Sequence, residues 1–77
     1  MALQAVLGRP DVDRVILEEY TEGVHVLAFR PGEQGPFRDM LQDDWAMAKR
    51  DAMQEYGVTD EMWHEIPDTG LMGRAAP

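Results

Sequence analysis

A chain of 77 residues with fifteen acidic and seven basic side chains, formal net charge -8, has room for one domain and displays an acidic surface. With no cysteine it can form neither disulfides nor thiolate metal sites, and with a single lysine it is poorly equipped for phosphate-rich partners such as nucleic acid or an anionic membrane. A domain this small buries a modest share of its surface, so tight packing or self-association must supply its stability.

Residues 2 to 7 are mostly apolar without a clear period and read as an extra strand or a loosely docked arm. The start is not basic, the apolar run is too short for a secretory leader, and no later stretch reaches membrane-spanning length. A cytoplasmic protein is expected. Gly8-Arg9-Pro10-Asp11 is turn chemistry. Residues 13 to 21 and 24 to 30 are rich in β-branched and aromatic side chains and read as two strands, with Glu22-Gly23 as the tight turn between them. With Thr21 opposite Val24, one face carries Val15, Leu17, Val24, Val26 and Ala28. The other carries Ile16, Tyr20, His25, Leu27 and Phe29; a loop one residue longer would exchange the partners. Both faces are partly apolar. A helix covers one, and the other needs a second helix, the N-terminal segment or another subunit, which argues for a homodimer.

Pro31 to Pro36 is a loop by composition, and the spacing predicts a long helix starting near Pro36. At about 100° per residue, Phe37, Leu41, Trp45, Ala48, Ala52 and Tyr56 form one narrow apolar stripe, with Arg50, Gln54, Asp39 and Asp43 away from it. Tyr56-Gly57-Val58 reads as the helix end, with Gly57 left-handed. Thr59 opens a short second helix that Pro67 stops, and Asp68 to Pro77 reads as a disordered tail. The expected fold is α+β: an antiparallel hairpin, with a possible third strand, packed by one long amphipathic helix and followed by a short C-terminal helix. Residues 1 to 67 form the domain.

Four groups of side chains could carry function. His25 and His64, with carboxylates such as Glu18 or Glu19, could make a mixed metal site or an acid-base pair, although no recognised histidine spacing is present. Asp44, Asp51 and Glu55 lie close to the apolar stripe, and the Asp51 and Glu55 pair is repulsive at helical spacing, which suits an external cation. Met40 and Met47, seven apart on a helix flank, suit an adaptable contact surface. Trp45 and Trp63 read as core. The chain has no serine, no nucleophilic cysteine and no glycine-rich phosphate loop, so catalysis is not expected and no cofactor or resident metal is implied.

The hairpin followed by Phe37-Arg38-Asp39-Met40-Leu41, with the spaced Ala48 and Ala52, loosely resembles the small antitoxins of the HicB type over about half the chain. It lacks the DNA-binding appendage such antitoxins often carry, and the resemblance implies topology alone. The expectation is therefore a small acidic interaction module that self-associates and binds a protein partner, plausibly basic, through Met40, Asp44, Met47 and Asp51. The other reading is a small metal-binding protein or enzyme built on His25 and His64.

Overall fold

Ala2–Val6 forms strand β1, Arg14–Tyr20 β2, Gly23–Phe29 β3 and Arg38–Gln42 β4, and these four follow one another as an antiparallel meander. Helix α1, Trp45–Tyr56, then crosses back over the sheet. A single 3-10 turn at Asp60–Met62 leads into β5, His64–Ile66, which pairs with β1 and completes the order β4-β3-β2-β1-β5. This is a computed structural model, and it describes residues 1–73. No helix among them is long and apolar enough to cross a membrane.

The sheet is therefore five strands, where a hairpin of two or three was expected, and among the described residues no short C-terminal α-helix follows the long one. Two local competitions explain the difference. The stretch from Phe37 to Gln42 satisfies both periods. Its i, i+4 spacing fits a helix, yet Arg38, Met40 and Gln42 alternate with the exposed Asp39 and Leu41. The open edge of β3 supplies ladder partners, with Val26 opposite Met40, and the strand wins. Leu41, expected on the buried stripe, is instead 48% exposed on this edge strand. The resemblance built on a helix at Phe37-Arg38-Asp39-Met40-Leu41 falls with it. Further on, the segment after Thr59 is too short for a costly helical nucleus, and the residue before Pro67 is biased towards extended backbone. It makes one 3-10 turn and then fills the free edge of β1.

The faces of the hairpin are as expected, although its register is not. Tyr20 pairs with Gly23, so Thr21 and Glu22 are the turn, and the ladder is shifted by two residues. A shift of two preserves which side chains share a face. Gly23 has φ +147, and a Cβ there would collide with the carbonyl oxygen of Gln42 on β4. Close approach of the edge strand thus requires glycine at this position.

Beneath α1, Ala5, Val15, Leu17, Val24, Val26 and Ala28 pack against Ala48, Ala52, Tyr56 and Val58. The small side chains at Ala48 and Ala52 let the helix lie close on the sheet. Asp44 starts it, accepting through Oδ1 from the Met47 N–H at 2.9 Å. Gly57, at φ +75, ends it by donating to the Met53 carbonyl, and Val58 turns back into the core.

The opposite face holds a second cluster, Ala2, Ile16, Leu27 and Phe29. Ile66 and Met72 pack on it, and the Arg14 guanidinium stacks 4.1 Å from the centre of the Phe29 ring. All four residues are buried within one chain. The face expected to need a second helix, the N-terminal segment or another subunit is covered by the chain itself, so the uncovered face no longer argues for a homodimer. Of the expected tail, residues 68 to 73 form a strap over this face, anchored at Thr69 and Met72, and residues 74 to 77 lie outside the described residues.

Candidate functional site

The closed face carries a polar cluster that no single segment of sequence contains. Glu18 on β2 lies opposite His25 on β3 and is 2% exposed. Its carboxylate accepts from the Tyr20 hydroxyl at 2.9 Å, from the Thr69 N–H at 2.7 Å and from the Thr69 hydroxyl. The Tyr20 oxygen in turn accepts from the Met72 N–H at 3.2 Å. Burial, with help from the Glu18 carboxylate, raises the Tyr20 phenol above its ordinary range. The strap is thus tied to a buried carboxylate that has four lone-pair sites to satisfy.

His25 is 7% exposed and sits between two other carboxylates. Its Nδ1 is 2.7 Å from Asp39 Oδ1 on β4, and its Nε2 is 2.8 Å from Glu22 Oε2 in the β2–β3 turn. The Tyr20 ring meets it edge to face with centroids 5.3 Å apart. Burial disfavours its charge, but the hydrogen bonds to Glu22 and Asp39 outweigh burial and raise its pKa. The bond to His25 also holds the Glu22 carboxyl below its usual range. Two carboxylates on the two ring nitrogens favour the charged form, in which neither nitrogen has a lone pair to offer as a base or ligand.

His64 lies on β5, three strands away from β3 and so roughly 14 Å distant at about 4.8 Å per strand. The two imidazoles do not meet. Among the described residues no three His, Asp or Glu side chains gather in a way that could hold a metal ion.

The open space lies instead on the outer face of α1. One groove, about 540 Å³, runs between Ala46, Lys49, Arg50 and Met53 on the helix and Thr59, Asp60 and Glu61 after it. A second, about 200 Å³, is bounded by Gln42, Met47, Arg50, Asp51 and Gln54. Arg50 stands between the two. Met47 is 42% exposed and Met53 53% exposed. The Oδ2 atom of Asp51 is buried without a hydrogen-bond partner. Burial raises the pKa of Asp51, and the charge of Glu55 one turn on raises it further, while Arg38 opposes both. Arg38 spends its Nη1 on Glu55 at 2.7 Å and leaves that oxygen unanswered.

Of the four residues expected at a contact surface, Met47 and Asp51 line the same groove. Asp44 is occupied in capping α1. Met40 is on β4, half-buried against the core, so a flank joining it to Met47 does not exist. Arg50 and Met53 were not anticipated. Both fall at helical spacing from Ala46 on the side away from Ala48, Ala52 and Tyr56, and that spacing was the signal available for them. Searches against protein-family models, curated proteins and solved structures found no match to this chain.

Proposed function

We propose that this protein is a non-catalytic, cytoplasmic interaction module that docks a basic protein partner on the outer face of α1. The observation that carries the reading is a groove lined by both the exposed Met47 and Asp51, an acid crowded by Glu55 one turn on. Flexible thioethers suit an adaptable surface. An arginine or lysine from the partner would meet the acidic pair Asp51 and Glu55 and relieve their repulsion. The formal charge of -8 would speed encounter with a basic protein.

The test is titration of the full ¹⁵N-labelled chain with a short arginine-rich peptide, following backbone amide shifts. Shifts concentrated between Met47 and Gln54, weakened by added salt and by Asp51→Asn, are expected. Shifts spread evenly over the acidic surface, or unchanged by Asp51→Asn, would refute the site. Light scattering of the chain alone identifies a second copy as the occupant.

A further inference from the structure

Two carboxylates and one imidazole impose a choice on the proton. In the charged ring both nitrogens donate, Nδ1 to Asp39 and Nε2 to Glu22, and both contacts are favourable. A neutral ring has one N–H. Whichever carboxylate faces the bare nitrogen then opposes a lone pair at under 3 Å, and that contact must break. We infer that His25 is a proton-operated catch on the Thr21–Glu22 turn: charged, it holds Asp39 and Glu22 together, and neutral, it keeps Asp39 and releases Glu22.

The direction of the choice follows from how each carboxylate is mounted. Asp39 belongs to β4, whose backbone is held by the ladder to β3 with Leu27 opposite it, and its shorter side chain is one-third exposed, less than that of Glu22. Glu22 belongs to a two-residue turn and its side chain is already about half in water. Swinging it out costs a rotamer change and regains hydration. The neutral ring therefore settles as the Nδ1–H tautomer, donating to Asp39.

The other groups around the ring do not compete for its proton. Glu18, opposite on β2, already accepts from Tyr20 and Thr69, and Tyr20 presents a ring edge. Leu41, opposite on β4, is apolar. The raised pKa of His25 places the release on the alkaline side of an ordinary histidine, which titrates near about 6.5.

Long-range proton–nitrogen correlation of the His25 ring in the labelled full chain, from about pH 5 to about pH 10, reads this directly. Both ring nitrogens stay protonated past the ordinary midpoint. The neutral form is the Nδ1–H tautomer, and the amides of Thr21 to Gly23 shift with the same midpoint while those of Asp39 to Leu41 hold. An Nε2–H tautomer, an ordinary or lowered midpoint, or movement of β4 in place of the turn overturns the inference. Two variants guard against a merely structural role. Glu22→Gln lowers the midpoint and abolishes the turn's response. Asp39→Asn can donate its amide to the neutral Nδ1, so in that variant the ring keeps Glu22 as the Nε2–H tautomer and the turn stays shut. A turn that still opens in Asp39→Asn would also overturn it.

Discussion

Glu18→Ala removes one acceptor from three donors at once. The Tyr20 hydroxyl, the Thr69 N–H and the Thr69 hydroxyl all point at a carboxylate that is 2% exposed. A hydrogen bond to a charged group contributes about 1.5 to 3 kcal/mol, so three would suggest a loss of roughly 5 to 9 kcal/mol. That sum overstates the case, because the buried carboxylate also carries a desolvation cost that the variant no longer bears. The strap can also lift and give its donors to water. What then remains is the loosening of Met72 from Ile16, Leu27 and Phe29, together with the partial loss of hydrogen bonding. A net loss of about 2 to 4 kcal/mol is expected, a large share of the stability of a domain this size. Urea unfolding followed by the fluorescence of Trp45 and Trp63 measures it. A double-mutant cycle with Thr69→Ala separates the strap from the rest, since coupled residues give interaction energies of about 0.5 to 3 kcal/mol. A loss below about 1 kcal/mol, or strict additivity with Thr69→Ala, would refute the claim that Glu18 anchors the strap.

The pH dependence of stability follows from the sign of the His25 shift. Its folded pKa lies above the unfolded value of about 6.5, so its contribution is complete below that value and is lost as pH rises through the folded pKa. Urea midpoints should fall across that alkaline window in the parent chain, and His25→Gln should remove that fall. Gly23→Ala places a Cβ against the Gln42 carbonyl at a positive φ and should cost about 2 kcal/mol or more, read from the urea midpoint. Asp44→Ala leaves the Met47 N–H without its cap and should cost about 1 kcal/mol, with α1 fraying first at Trp45 in hydrogen exchange.

How far the fold could be read from the chain depended on whether a feature was local. Val15, Leu17, Val24, Val26 and Ala28 share a face as the alternation implies, even with the register displaced, because a displacement of two leaves the pleat unchanged. Ala48, Ala52, Tyr56 and Gly57 were legible because the helix's apolar spacing and its glycine end are local, whereas its start, expected near Pro36, lies at Trp45 behind the cap Asp44. Strand β4 was not, since its five residues fit two periods and the deciding factor was the open edge of β3. Nor was β5, three residues long and defined by its pairing with β1.

The functional side chains divide in the same way. Met47 and Asp51 could be placed together because both ride on the true helix. The His25 and Glu18 contacts are hidden in the sequence because Asp39 fits a helical spacing and Thr69 lies in a stretch that reads as a tail. Nothing within either segment reveals the partner lying fourteen or fifty-one positions away.

The pairing of β5 with β1 sets an order of assembly. The meander from β1 to β4 can zip together as its strands emerge, each finding its sequence neighbour across a short connection. Ile16, Leu27 and Phe29 gain Ile66 and Met72 only after α1 has left the ribosome. Through that interval the half-built sheet offers an oily flank and a bare β1 edge to its surroundings. A chain that stops short of Ile66 would lack this cover and leave β1 unpaired on one side, and it is expected to aggregate more readily than the whole chain.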